Sequence, residues 1–245
     1  MKFYLYCVTD AEPNLTEVVG LEGRAVEVVN NGSLFVVASP FEGDVVAVTR
    51  ENVLQHEAIV RKIFSTATVL PFRFGTLVTE PGLHSYLSSR EAALLERLSQ
   101  VRDCIEMSVK IIWQNSDKFC EIEPESQVSI PELDEIGAGT AFLMFKRQEL
   151  IGNERLENEA RALDDWLRCG LKDVVKREQV TIEPRQRLVV SSSYLVEQAR
   201  LPDYRRELAK LQAERTTLHF LSSGPWPPYT FANIDLEFGA HFGVS

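Results

Sequence analysis

Asn30-Asn31-Gly32-Ser33 lies between two β-branched runs, Arg24 to Val29 and Leu34 to Ala38. Asn-Gly at such a junction is a strong hairpin signal, because both central residues of a type I′ turn need positive φ. The spacing predicts a hairpin over residues 24–38 and so commits the N-terminal third of the chain to a sheet. A third strand is expected from Phe3 to Val8.

From Thr49 the apolar period changes from two to that of a helix. Val53, His56, Val60, Ile63 and Phe64 fall on one face, with Thr49 placed as the N-cap. The stretch Val69 to Val78, VLPFRFGTLV, alternates as a strand, and Glu80-Pro81-Gly82 leads into a helix with Leu83, Leu87, Leu94, Leu98 and Val101 on one face. After Arg102 the pattern restarts. A strand is expected at 105–113, then an acidic loop at 117–135, a long helical region at 139–176, strands at 179–182 and 187–196, a helix opened by Pro202, and a strand at 217–221. The fold class is therefore α+β with two domains. A small mixed unit with a hairpin-containing sheet spans 1–100, a ferredoxin-like (split βαβ) domain spans 101–231, and a tail follows over 232–245.

Charge decides which partners to consider. The 245 residues carry 36 acidic against 26 basic side chains, a net charge of −10, which repels nucleic acid and anionic lipid alike. The aromatic-basic pattern of an RNA-binding sheet is missing from the sequence. The run Phe3 to Val8 is too short for the apolar region of a signal peptide, so a cytoplasmic protein is expected. Cys7, Cys104, Cys120 and Cys169 form no CxxC and have no histidine at ligand spacing, which favours structural thiols over a metal site. No cofactor is expected.

Few residues stand out as chemistry. Gly137-Ala138-Gly139-Thr140 has the outline of a phosphate loop, but Glu132, Asp134 and Glu135 precede it, and a helix-entry turn is the better reading. His56 has no nucleophile motif to serve and reads as a core or interface histidine. Arg73, between Phe72 and Phe74, has three open readings: a bidentate pair with a carboxylate such as Glu57, a contact with a partner, or an anion site. The stretch Gly224 to Asn233, GPWPPYTFAN, holds Trp226, Tyr229 and Phe231 among three prolines. It is either a rigid aromatic recognition surface or a segment that folds back and plugs its own domain. An anion- or small-ligand-binding domain built on Arg73 and His56 is the competing function, although no enzyme signature supports it.

In order along the chain, FYLYCVTD, GLEGRAVEVV followed by LFVVAS, VLQHEAIVRKIFSTATVLPFRFGTLV, IEMSVKIIW, GAGTAFLMFK and SSGPWPPYTF resemble the GvpL/GvpF family of gas vesicle proteins, nearer its GvpF members. Cys7 stands where the family has glycine or alanine, a conservative packing change. The resemblance runs to about Phe231. It implies a minor structural or accessory protein, associated with the gas vesicle, that binds the small apolar shell subunit and assists assembly with other accessory proteins. It implies no catalytic residues. Arg73, Phe72, Phe74, His56, Trp226 and Tyr229 are the partner-binding or structural candidates.

Overall fold

A computed structural model describes residues 1–16, 18–113, 157–182, 188–232 and 234. The expected acidic loop at 117–135, the Gly137 to Thr140 turn, the helical residues before 157 and Cys120 lie outside them. The chain divides into two compact units. One comprises residues 1–106 and the chain from Gly224, and the other residues 107–223. The expectation placed Gly224 to Asn233 with the C-terminal domain, whereas the structure packs its described residues with the first unit.

In the first unit, β1 (Lys2–Thr9) lies between β3 (Leu34–Phe41) and two short strands, β4 (Leu70–Pro71) and β5 (Leu77–Thr79), while β2 (Glu27–Asn31) pairs with β3. All these pairings are antiparallel. Phe3 to Val8 are all buried, so β1 must be covered on both faces. Helix α1 (Arg50–Phe64) buries His56, Ile59, Val60 and Ile63 against the Tyr4 and Tyr6 side of it. Helix α2 (Glu80–Val101) buries all five residues of its expected face and packs across β1, β2 and β3. Thr49 caps α1 as its position predicts, its hydroxyl oxygen accepting from the Asn52 N–H at 3.1 Å.

Two turns differ from expectation. The β2–β3 register pairs Asn31 with Leu34, so the loop is Gly32-Ser33, and only Gly32 has positive φ, at +70°. That is the pattern of a type II′ turn, which asks for glycine first and leaves Asn31 in the strand. The stretch 69–78 is not one strand. A turn over Arg73 to Thr76 breaks it: the Thr76 N–H donates to the Arg73 carbonyl at 3.2 Å, and Gly75 sits at φ +87°. Positive φ at the third turn position favours glycine, and the alternation of Phe72, Phe74 and Thr76 concealed this break.

The second unit contributes most of a four-stranded sheet in the order β7-β8-β6-β9, from β6 (Cys104–Trp113), β7 (Arg177–Thr181), β8 (Leu188–Glu197) and β9 (Leu218–Trp226). A helix described over 157–171 (α3) buries Ala160, Leu163, Leu167 and Leu171, and α4 (Leu201–Glu214) buries Tyr204, Leu208 and Leu211. Strand β9 runs past the expected end at Leu221 and through Pro225, which an edge position allows because no neighbour needs the missing N–H. Among the described residues no helix is long and apolar enough to cross a membrane.

Candidate functional site

The first unit brings five of the six candidate residues, all but Arg73, into a buried aromatic centre or onto its margin. His56, on the second turn of α1, is only 3% exposed. Its Nε2 lies 3.2 Å from the Phe72 carbonyl, an acceptor, so Nε2 carries the proton and Nδ1 accepts from the Tyr4 hydroxyl at 2.7 Å. The Gly75 N–H in turn donates to the Tyr4 oxygen at 3.4 Å. This chain links α1 to both sides of the Arg73 turn.

Aromatic rings enclose the imidazole. Tyr6 stacks on it with centroids 5.7 Å apart at 29°, and Tyr4 and Phe74 meet it edge-on at 5.6 and 5.9 Å. Tyr229 closes the group at 6.4 Å. Burial pushes the His56 pKa down to about 4, partly opposed by the bond to the Phe72 carbonyl, so the ring is neutral at pH 7. With both nitrogens engaged, His56 has no lone pair left to serve as a general base. It is a core histidine that fixes a turn.

Arg73 is exposed at the tip of that turn, while Phe72 is buried and Phe74 half-buried. The carboxylate suggested for it is taken: Glu57 Oε1 accepts from Arg61, 2.9 Å from Nε and 2.7 Å from Nη2. Arg73 makes no ion pair among the described residues. The pairing expected from sequence fails because Gly75 turns the chain before Arg73 can lie along α1.

The GPWPPYTF stretch folds back onto the first unit. Arg61 lies over the half-buried Trp226 ring, 5.0 Å from its centroid, and Pro227, Pro228 and Phe231 are buried. A short helix, α5 (Tyr229–Ala232), follows. The buried Glu106 carboxylate accepts from the Thr230 N–H at 2.8 Å and from its hydroxyl at 2.5 Å, anchoring α5 by charge-assisted bonds. Among the described residues the buried Tyr229 hydroxyl has no hydrogen-bond partner, and burial raises its pKa. Sequence reasoning missed Tyr4, Tyr6 and Glu106. The two tyrosines were visible as alternate residues of one strand, and Glu106 as a lone carboxylate in the apolar run from Cys104.

No group of three or more histidine, cysteine or acidic residues able to hold a metal occurs among the described residues. The arrangement is a buried aromatic support with an exposed guanidinium at the tip of its turn.

Comparison with known proteins gives these features a family. The family model described as gas vesicle synthesis protein GvpL/GvpF matches residues 2–233. Gas vesicle protein L1 of Halobacterium salinarum is 26% identical over 254 residues, covering 94% of this chain and 89% of that relative. Two crystal structures of the gas vesicle protein GvpF share the fold at 16% identity. That from Anabaena sp. PCC7120 superposes with a TM-score of 0.75 over 96% of this chain and 99% of its own, and that from Microcystis aeruginosa with 0.76 over 95% and 99%. The chain belongs to the gas vesicle synthesis protein GvpL/GvpF family.

Proposed function

We propose that this chain is an accessory protein of the gas vesicle that binds the small apolar shell subunit in the cytoplasm and assists its assembly, alongside other gas vesicle accessory proteins. Family membership supports the accessory role. The observation that carries the binding mode is the edge of the first unit's sheet. Among the described residues strand β2 pairs on one side only, with β3, and places the half-buried Val28 and Val29 at that edge. A strand of the shell subunit can add there through backbone hydrogen bonds. An apolar subunit with free strand edges pairs indiscriminately before assembly, and covering those edges would keep its growth ordered. Arg73 supplies a second contact, its guanidinium free to take a partner carboxylate bidentately. The second unit is read as ferredoxin-like, supported by its strand order with α3 before β7 and α4 between β8 and β9.

The test is capture of the shell subunit by the full-length chain and by Val28→Lys and Val29→Lys variants of unchanged melting temperature. A charge on an edge strand opposes strand addition, so capture should fall at least tenfold. Undiminished capture would move the interface away from β2. Failure of the unaltered chain to capture the subunit would end the proposal.

A further inference from the structure

The second unit contains buried polar groups that family membership does not explain. Asp164 of α3 is 6% exposed, and its Oδ2 accepts from Arg168 Nη2 at 3.4 Å while Oδ1 has no hydrogen-bond partner among the described residues. Arg168 also reaches Glu178 on β7, with Nε 2.6 Å from Oε1. Glu178 is the register partner of Tyr194 on β8, which places Tyr194 under α3. Ser192, two residues before Tyr194, shares its face of the strand. On the other side the Tyr204 ring of α4 lies 6.1 Å from that of Tyr194. Ser192 and Tyr204 are fully buried and Tyr194 is 1% exposed, yet among the described residues none of the three hydroxyls makes a well-formed hydrogen bond. Ser192 stands close enough to Tyr194 to oppose the effect of burial on its hydroxyl, but the two make no well-formed bond.

Four such atoms in one patch of core are not how native interiors end: buried polar groups are nearly always satisfied by protein or by ordered water. The atoms come from three elements and have complementary chemistry. A carboxylate oxygen only accepts, whereas each hydroxyl can donate and accept. We infer that the second unit encloses an internal hydrated site, in which ordered water bridges Asp164 Oδ1 to the hydroxyls of Ser192, Tyr194 and Tyr204. Water donates to the carboxylate and accepts from the phenols, and a buried water typically makes about three hydrogen bonds. An anion would face both Asp164 and Glu178. An apolar molecule would leave every hydroxyl unpaired. The same burial raises the pKa of Asp164 and of Tyr204 and pushes that of Tyr194 up to about 12, so the hydroxyls keep their protons for donation.

The sign of a stability change tests the site. Tyr204→Phe and Ser192→Ala each delete one hydroxyl and little else. If water bridges the cluster, each removes a bond and lowers the melting temperature by a few degrees. If the hydroxyls are truly orphaned, each deletion relieves a penalty and the melting temperature holds or rises, which overturns the inference. A high-resolution crystal structure of the unaltered protein gives a second readout. Water density within hydrogen-bond distance of at least three of the four atoms is expected. A dry site, or density of an ion or organic molecule there, overturns the assignment to water.

Discussion

The two units each bury a tyrosine-rich polar group between a sheet and its helices, and they satisfy it differently. In the first, the polar atoms of His56 end on backbone or on Tyr4, and the Tyr4 hydroxyl is bonded in turn to Gly75, although the neighbouring Tyr229 hydroxyl has no partner among the described residues. The aromatic centre thereby dictates the path of the chain on both sides of Arg73. In the second, Asp164, Ser192, Tyr194 and Tyr204 bond no backbone N–H or carbonyl through the atoms left over. A network closed on the main chain fixes a conformation, whereas one open to water can adjust to it. The first unit therefore fixes the conformation of its exposed turn.

If that contrast is right, the largest effect should follow from opening the closed network. His56→Leu keeps the volume but strands the Phe72 carbonyl and removes the acceptor of the Tyr4 hydroxyl. At about 1–3 kcal/mol for each buried group left unsatisfied, denaturant unfolding should show a loss of about 2–6 kcal/mol. A loss below about 1 kcal/mol would mean that His56 is only filler and that the two units do not differ in this respect.

The same residue predicts a pH dependence of nearly that size. Its pKa falls from the ordinary histidine value of 6.5 to about 4 in the folded protein, so between those values the unfolded chain binds more protons. Stability from this group is complete above pH 6.5 and is lost progressively as pH falls to 4, by about 3 kcal/mol at most. Comparing unfolding free energies of the natural chain and His56→Gln over that range isolates the effect. Equal slopes in the two proteins would remove His56 as its source.

A smaller loss is expected at the anchor of the C-terminal segment. Glu106→Ala deletes both charge-assisted bonds to Thr230, and hydrogen bonds to charged groups contribute about 1.5–3 kcal/mol. The segment should loosen, and Trp226 fluorescence should shift to the red as its ring leaves Arg61. Unchanged fluorescence would show that the buried prolines and Phe231 hold the segment without Glu106.

Much of this architecture was legible because it is local. The β2–β3 hairpin, the cap at Thr49, the buried face of α2 and the Pro202 helix start each follow from a short pattern in which periodicity and turn chemistry agree. The site was legible only in part. His56 and Phe72 could be marked as structural, but the partner of His56 is Tyr4, 52 residues away, and Glu106 meets Thr230 across 124 residues. Such pairings depend on how the elements stack, which periodicity does not encode. The single strand expected around Arg73 failed for a local reason. Phe72 and Phe74 suggested uninterrupted alternation, and only the positive φ of Gly75 reveals the turn.

Arg73 should consequently show the smallest effect on stability and the clearest one on binding. A guanidinium committed to a bidentate pair, as the sequence suggested, would make Arg73→Lys costly, because an ammonium cannot reproduce the fork. In the structure the side chain is exposed and Glu57 is occupied by Arg61. Its carbonyl, which accepts from Thr76, remains in any variant. Surface substitutions away from buried networks usually stay within about 0.5 kcal/mol, and both Arg73→Lys and Arg73→Ala should do so in denaturant unfolding. Capture of the shell subunit should meanwhile weaken in both, more in the alanine variant, since lysine retains the charge but not the geometry. A stability loss above about 1.5 kcal/mol would return Arg73 to the interior network and erase the distinction between a rigid support and the contact it presents. Stability and capture both unchanged would leave the support in place and remove the contact.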